Sequence, residues 1–484
     1  MTSVRKSLAW SLCEKHLAQV ITLISSMILA RLLTPSEVGI FSICAAFLAV
    51  ITIFRDFGVS EYLIQEKELT KEKIGGAYAL TITTAWSMAL LLFFSKNAIA
   101  DFYNEPALID VLSVLTLNFL ILPISAPSFA IMNREMAFKN IFIVQIIANL
   151  AHAVTSVTLA FMGYSFMSLA WASVISIIIQ TILVTRLRPK YAAVFPNVKH
   201  IKHIWRFGLT FSTSRTVEML TSNVHEFIIG HQFGFEALGI FSRAIGLVNL
   251  FKQTVTSAIT RVAAPSFAST FHKNNGNLIK AYTHVVANFT VIAWPFYAFI
   301  GLESENIILL LFGDQWTAAA PIASVLVIGS MISCTFALAP NALIAMGEIK
   351  KRLFINLLIA PVHIIAITLA SAFDLTTVAL MWTITWTVAL LLYNFYLSKT
   401  MQFTYMHLFK STSKSLMVTI SVVASFFISN HFLSTMDFHN ILILCSELIV
   451  VLVTWLISIF IFKHKICEEL VNIKTNFITG NKTA

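Results

Sequence analysis

Fourteen apolar runs follow one another along the chain, each long enough to cross a hydrocarbon core of about 30 Å. Hydrophobic residues make up 57% of the 484 residues and charged residues only 12%. A soluble domain, by comparison, carries about 25% charged residues. The runs do not alternate with a period of two, which favours helices over the strands of a barrel. The sequence therefore predicts an all-α polytopic membrane protein with about fourteen transmembrane helices.

A short motif occurs twice, about two hundred residues apart, at the turn between two apolar runs. The first copy, residues 28–42, is ILARLLTPSEVGIFS, and the second, residues 228–242, is IIGHQFGFEALGIFS. Both end in Gly-Ile-Phe-Ser, and each joins the first two runs of a group of six. This duplication predicts two pseudosymmetric six-helix lobes followed by two further helices, an architecture in which transporters bind cargo between the halves.

The predicted segments fall into three groups. The first six are Leu17–Leu33, Val38–Leu63, Gly76–Ser95, Ile109–Ile131, Ile141–Met162 and Ser165–Leu187. The second six are Trp205–Gly230, Leu238–Val262, Ala281–Leu302, Ala318–Met346, Leu353–Ala372 and Thr376–Leu397. The last two are Lys414–Phe432 and Ile441–Phe462. We accordingly predict an N-terminal lobe over residues 1–187, a basic cytoplasmic linker over 188–204, a C-terminal lobe over 205–400, and two extra helices with a cytoplasmic tail over 401–484.

The positive charges test this arrangement. With a cytoplasmic N-terminus, 27 of the 33 Lys and Arg residues fall in or beside the inner loops, as the positive-inside rule requires. Both termini are therefore predicted to be cytoplasmic, with an uncleaved first span. The net charge of +10 follows from this topology and does not indicate a nucleic-acid partner. The five cysteines are scattered without metal or redox spacing, so we expect no metal and no cofactor.

A few cations remain outside the inner loops. They are Arg31, Arg55, Lys96, Arg215, Arg243 and Lys252. All except Lys96 belong to segments 1, 2, 7 and 8, which are the two repeated hairpins. An ionised group inside a span costs about 2.5–3.5 kcal/mol on insertion scales, so it usually faces a wet cavity or a partner. Their concentration on corresponding helices predicts a water-filled cavity between the halves.

Helical spacing places the polar residues of these segments on single faces. The predicted substrate-binding residues are Arg55, Arg215, Arg243, Lys252, Ser222, Asn249 and Gln253, and the candidate coupling residues are Asp56, Glu218, His225 and Glu226. Because the cations outnumber the acids, an anionic cargo is expected, with guanidinium groups on phosphate oxygens. The alternative is internal ion pairing, as between Arg215 and Glu218 or from Arg55 to a neighbouring helix.

Four stretches carry a resemblance to a known family. They are LARLLTPSEVGIFS, RFGLTFSTSR, EALGIFSRA and FGDQWTAAAP, and together they resemble the oligosaccharide flippases of the Wzx/polysaccharide-transport type. That family belongs to the superfamily of the MATE drug exporters. The resemblance implies a V-shaped bundle whose cavity is lined by segments 1, 2, 7 and 8. It also implies transfer of undecaprenyl-diphosphate-linked oligosaccharides, for lipopolysaccharide O-antigen or other polysaccharides, across the bacterial inner membrane.

The implied partners are the lipid-linked substrate, membrane lipids, and polysaccharide polymerase or glycosyltransferase machinery. The protein itself is expected to be a monomer.

Three other functions are alternatives to a flippase. A first alternative is a cation-coupled MATE-type exporter of small amphiphiles, which needs a cavity dominated by acids and aromatics. A second is a membrane enzyme such as a polymerase or ligase. The short outer loops offer no catalytic loop, and we expect no enzymatic activity. A third is a non-transporting structural subunit, which leaves the polar helix faces unexplained.

Overall fold

The structure, a computed structural model, describes residues 2–198, 201–250, 278–346, 348–433 and 440–467. Throughout these ranges the secondary structure is helical, with no strand. In the first half, the helices are α1 (Thr2–Leu32), α2 (Pro35–Asp56), α3 (Val59–Gln65), α4 (Lys71–Tyr103), α5 (Ala107–Ile121), α6 (Ala126–Arg134), α7 (Phe138–Phe161), α8 (Met167–Leu187) and α9 (Ile201–Gln232).

The second half continues with α10, described over residues 234–250. It is followed by α11 (Leu278–Leu302), α12 (Ser304–Phe312), α13 (Ala319–Phe336), α14 (Ala339–Ala345), α15 (Ile349–Ala370), α16 (Leu375–Met401), α17 (Tyr405–Leu433) and α18 (Asn440–Ile461). The prediction of an all-α membrane protein is confirmed.

Twelve helices in the described ranges are long and apolar enough to span a membrane. They correspond to twelve of the fourteen predicted segments. The other two segments are α9 and α10. The last 18 residues of α9 carry Arg215, Glu218 and Glu226, and α10 is described only as far as residue 250. A total of about fourteen spans is consistent with this outcome.

Three predicted segments are interrupted rather than continuous. Segment 2 breaks after Asp56, because Phe57 and Gly58 both adopt left-handed backbone angles, with φ of 41° and 66°. Segment 4 breaks at a 3₁₀ turn over Leu122–Ile124, which contains Pro123. Segment 10 breaks between α13 and α14, just before Pro340. Segments 4 and 10 are each the fourth of their half, so the interruption is itself repeated.

At other positions, capping residues and polar residues determine where the helices start. The motif TPSE opens α2 with a capping box: Thr34 is the N-cap, Pro35 is the first helical residue, and the Thr34 backbone N–H donates to the Glu37 carboxylate at 2.7 Å. The predicted start of segment 1 at Leu17 is too late, since α1 begins at Thr2. The predicted start of segment 13 at Lys414 is also late, since α17 begins at Tyr405. Polar residues at the N-terminal ends extend both helices beyond their apolar runs.

The chain forms two compact units, residues 1–242 and 243–484. In unit 1, α3 packs with α4, α6 and the linker in an apolar cluster that includes Leu63, Ile74 and Ile131. Arg134, at the end of α6, donates to the Leu63 carbonyl at 2.8 Å and to three further carbonyls of the segment that follows. The Lys73 ammonium donates to Glu66 at 3.1 Å and thereby lowers the pKa of that carboxyl. The short helix α3 is thus held at both its apolar face and its C-terminal end.

Unit 2 has its own cores. One cluster joins α11, α14, α15 and α16 through Tyr282, Leu343 and Tyr393. A second joins α11, α17 and α18 through Phe299, Phe426 and neighbours. The lobe boundaries expected from the repeat, at residues 187 and 205, remain a prediction.

The two copies of the repeated motif contact each other through their backbones, within unit 1. A Cβ added to Gly39 would lie 1.8 Å from the Phe235 carbonyl oxygen, and one added to Gly239 would lie 1.9 Å from the Pro35 carbonyl oxygen. Each glycine therefore meets the residue four positions before the other glycine. This reciprocity is what a two-fold pseudosymmetry of the hairpins produces, and only glycine permits so close an approach.

Replacing Gly239 by Ala tests this contact. The added methyl group cannot fit beside the Pro35 carbonyl, so α10 and α2 must separate, and we expect a loss of about 1–3 kcal/mol of stability. Thermal unfolding of the purified protein in detergent measures the change. The control is Gly246→Ala on the same helix, where no described atom lies within 4 Å of the added Cβ. A Gly239→Ala variant as stable as Gly246→Ala would contradict the contact.

Candidate functional site

A cavity of about 410 Å³ lies within unit 1, between the C-terminal half of α2, the start of α3 and the middle of α9. Its described lining consists of Ala49, Thr52, Ile53, Asp56, Gly58, Ser60, Glu61, Arg215, Glu218, Met219 and Ser222. On either side of it the helices are close. At one end Gly208 of α9 approaches Phe57, with an added Cβ only 2.1 Å from the Phe57 oxygen. Towards the other end the rings of Phe47 and Phe227 meet edge to face, with centroids 4.9 Å apart.

The α9 wall of the cavity is polar. Arg215, Glu218 and Ser222 are spaced i, i+3 and i+7, so one helix face carries them all into the cavity. Ser222 Oγ donates to the Glu218 carbonyl oxygen at 2.8 Å, within its own helix. This bond occupies the hydroxyl proton, and Ser222 therefore faces the cavity as a hydrogen-bond acceptor.

The α2 wall contributes an ion pair. Arg55 donates from Nε and Nη2 to Asp56 Oδ1, at 2.9 and 2.7 Å. The Arg55 side chain is only 12% exposed and its guanidinium lies 5.9 Å from the Phe119 ring, whereas the Asp56 side chain is 43% exposed and reaches the cavity. Arg55 is not among the lining residues. Its ion pair is with the next residue of its own helix, not with the neighbouring helix considered above.

The start of α3 adds residues that the sequence analysis did not single out. Ser60 and Glu61 line the cavity because the left-handed turn at Phe57 and Gly58 redirects the chain across one end of it. In a continuous helix these positions would have been the end of segment 2. The Phe-Gly step after a run of apolar residues was the available signal, since glycine readily adopts such angles.

Deeper in α9, His225 and Glu226 form a second buried polar pair. His225 Nε2 lies 3.9 Å from Glu226 Oε1, and the imidazole ring lies 5.5 Å from the Phe241 ring. Glu226 Oε2 is buried and has no hydrogen-bond partner in the described part of the chain. Neither side chain lines the cavity described here. Both remain predicted coupling residues.

The remaining predicted residues lie elsewhere. Arg243 belongs to unit 2, where its guanidinium lies over the rings of Phe312 and Trp316, 5.0 and 4.7 Å from their centroids. Asn249 is half-buried on α10 and is not in the lining. Lys252 and Gln253 lie outside the described residues.

The electrostatic character of the described lining differs from the expectation. Its charged residues are three carboxylates, Asp56, Glu61 and Glu218, and one guanidinium, Arg215. Two of the expected cations are absent from it because Arg55 turns towards Asp56 and Phe119, and Arg243 packs on aromatic rings. The three carboxylates of this lining can accept hydrogen bonds from hydroxyl and ammonium groups. Its one guanidinium can donate a forked pair of hydrogen bonds. In the described part of the chain no cluster of His, Cys, Asp and Glu has the arrangement of a metal site.

Thiol labelling tests whether the cavity is open to water. In a variant lacking the five native cysteines, Ser222→Cys should react with a membrane-impermeant maleimide added to inside-out vesicles. Leu90→Cys is the control, because Leu90 lies midway along the apolar, outward-facing surface of α4. It should stay unlabelled until the membrane is dissolved. Protection of both cysteines from the reagent would show that the cavity is closed to the inner side.

Comparison with known proteins places the chain in a family. The family described as "Polysaccharide biosynthesis protein" matches residues 28–321, a range that contains every lining residue of the cavity. The chain therefore belongs to that family. It is 25% identical over 345 residues to the teichuronic acid biosynthesis protein TuaB of Bacillus subtilis, covering 70% of each chain. It is 22% identical over 384 residues to the lipopolysaccharide biosynthesis protein WzxC of Escherichia coli, covering 76% of each.

Among solved structures, the fold is similar to that of the lipid II flippase MurJ in an inward closed conformation. The TM-score is 0.75 at 12% sequence identity, and the match covers 94% of this chain and 98% of the other. At this identity the likeness shows a shared fold and no more.

Proposed function

We propose that the protein is a flippase that moves an undecaprenyl-diphosphate-linked oligosaccharide across the bacterial inner membrane by alternating access. The observation that carries the proposal is the family match over residues 28–321, which includes the whole described cavity. Relatives named for teichuronic acid and lipopolysaccharide biosynthesis support a polysaccharide precursor as cargo. The likeness to MurJ supports a fold suited to a lipid-linked headgroup.

The physical problem of this transport matches the cavity. A diphosphate and several sugars lose their hydration in hydrocarbon, at a cost of several kcal/mol for each unsatisfied polar group. A polar cavity at the inner end of α2 and α9 replaces part of that hydration while the polyprenyl chain stays in the lipid. We propose that Arg215 contacts a phosphate, and that Asp56, Glu61 and Glu218 accept hydrogen bonds from sugar hydroxyls.

The other residues predicted from the sequence have the following roles in this proposal. Arg55 holds Asp56 in its cavity-facing position, and His225 with Glu226 is the candidate pair for coupling to an ion. Arg243, Asn249, Lys252 and Gln253 remain predicted substrate-binding residues. Cytoplasmic termini, a monomeric state, and contact with polymerase or glycosyltransferase machinery also belong to the proposal.

One observation favours a second function, a cation-coupled MATE-type exporter of small amphiphiles. The described lining has more carboxylates than cations, and carboxylates attract positively charged drugs. Efflux of a cationic fluorescent dye from whole cells separates the two functions. Dye export that requires Glu218, with unchanged surface polysaccharide in a deletion strain, would replace the first proposal by the second.

Arg215→Ala tests the flippase proposal in a deletion strain complemented by the variant. Loss of a charged hydrogen bond costs about 1.5–3 kcal/mol, so surface polysaccharide should fall by roughly tenfold or more at normal protein levels. Lys350→Ala is the control, since Lys350 is an exposed cation at the start of α15, outside the described lining. Normal polysaccharide in the Arg215→Ala strain would remove Arg215 from the cargo site.

A further inference from the structure

Two glutamates are buried at the same end of unit 2. Glu303 follows the last residue of α11 and precedes α12, and it is 3% exposed. Glu447 lies on α18, where it is the sole acidic residue and is completely buried. Neither residue belongs to the repeated hairpins or to the cavity of unit 1. The positive-inside pattern predicts that this end of the unit faces the outside.

The surroundings of Glu447 are apolar. Its helix packs here with Phe299 of α11 and Phe426 of α17, in a cluster that also includes Val451 one turn further along α18. Both carboxyl oxygens of Glu447 are buried without a hydrogen bond of normal geometry to any described residue. The polar groups that face it are the Glu303 carboxyl and the Asn430 amide of α17. Glu303 in turn accepts a hydrogen bond from Asn306 Nδ2 at 2.8 Å.

No cation in the described ranges compensates this pair. The helices packed against α18 are α11, α12 and α17. Apart from Glu303, their titratable groups at this end are Glu305 and His431, both exposed to the surface, and the buried Tyr297 of α11. The lysines of α17, Lys410 and Lys414, lie near its opposite end. Arg243 contacts Phe312 and Trp316, and the described ion pairs include none from it to either glutamate.

Two carboxylates that face each other in apolar surroundings are unfavourable on two counts. Each has lost its hydration, and the two like charges repel. One proton held between them removes one charge and provides a donor for the other group, as in carboxyl dyads that share a proton. Nearby amides stabilise either form, because Asn430 and Asn306 can each donate a hydrogen bond.

We propose that Glu303 and Glu447 form a proton-binding carboxyl pair that fastens α18 to the end of α11 and the start of α12. The pair is separate from the unit 1 cavity and does not depend on the identity of the cargo. Loss of the shared proton leaves two facing charges, which the helices relieve by separating and admitting water. The packing of the last helix on unit 2 is therefore sensitive to the pH of the solution at that end.

The sign of the pH effect follows from proton counting. The folded pair holds a proton under conditions in which the same two carboxyls in an unfolded chain hold none. The folded state binds more protons, so stability decreases as pH rises. The contribution is fully present at mildly acidic pH and is lost towards alkaline pH.

The first experiment measures thermal unfolding of the full-length protein in nanodiscs from about pH 6 to about pH 9.5. We expect the Tm of the wild type to fall by several degrees over the alkaline part of this range. Glu447→Gln should abolish that fall, because an amide keeps the side-chain shape without ionising. Glu303→Gln should move the fall to lower pH, because Glu447 then loses the negative neighbour that favours its protonated form. Glu305→Gln is the control, an exposed acid two residues from Glu303 that should retain the wild-type profile.

The second experiment observes the proton itself. Infrared spectra at neutral pH should show a carbonyl band from a protonated carboxyl, present in the wild type and in Glu305→Gln and absent in Glu447→Gln. Absence of this band in the wild type would overturn the proposal. So would identical pH profiles of the wild type and both pair variants. If sodium ions restored alkaline stability at constant pH, the pair would bind a metal cation instead of a proton, and the proposal would be overturned.

Discussion

The backbone contact between the two copies of the GIFS motif fixes the arrangement on which the site depends. Gly39 and Gly239 each meet the helix start that carries the other, so the beginnings of α2 and α10 are held together. Gly208 brings α9 equally close to Phe57 at the far end of α2. Helices in a bilayer gain no hydrophobic stabilisation from association, and close packing through small residues takes its place. The rings of Phe47 on α2 and Phe227 on α9 meet further along the two helices, and the cavity lies between that contact and Gly208.

The contacts of each charged group in the spans explain how its charge is accommodated there. Arg55 is neutralised by Asp56 and covered by Phe119, and Arg243 lies on the faces of Phe312 and Trp316. A cation over aromatic rings recovers part of its lost hydration through the ring quadrupole. Neither arginine offers its charge to the cavity. The charged groups that do so are Arg215 and the three carboxylates, which stand where the helices diverge.

The sequence predicted most of the fold because a bilayer permits few solutions. Length and apolarity located the spans, while the orientation that the loop cations indicate stays a prediction. It did not predict the interruption after Asp56, since a helix break in a membrane depends on neighbours that supply the freed hydrogen bonds. At that break the Arg55 carbonyl oxygen accepts a hydrogen bond from Thr84 Oγ1 of α4 at 2.8 Å. At the other end of α3, Arg134, about seventy residues further along the chain, donates to four carbonyls. Helical periodicity did place Arg215, Glu218 and Ser222 on one face. It could not show that Arg55 turns towards its own neighbour, because side-chain direction at the end of a helix is decided by packing.

The acidic lining can be reconciled with an anionic cargo by considering where selectivity and release come from. A lipid-linked oligosaccharide presents two phosphates and many hydroxyl groups. A site rich in guanidinium groups would hold the phosphates tightly and slow their release on the other side of the membrane, because unloading requires every such bond to break. With Arg215 as the charged donor and Asp56, Glu61 and Glu218 as acceptors, most contacts in the proposed complex are hydrogen bonds to hydroxyls. Each of these is worth about 1 kcal/mol and exchanges readily with water. Binding then depends on the number and position of sugar hydroxyls, while the repulsion between carboxylates and phosphate limits how long the headgroup stays.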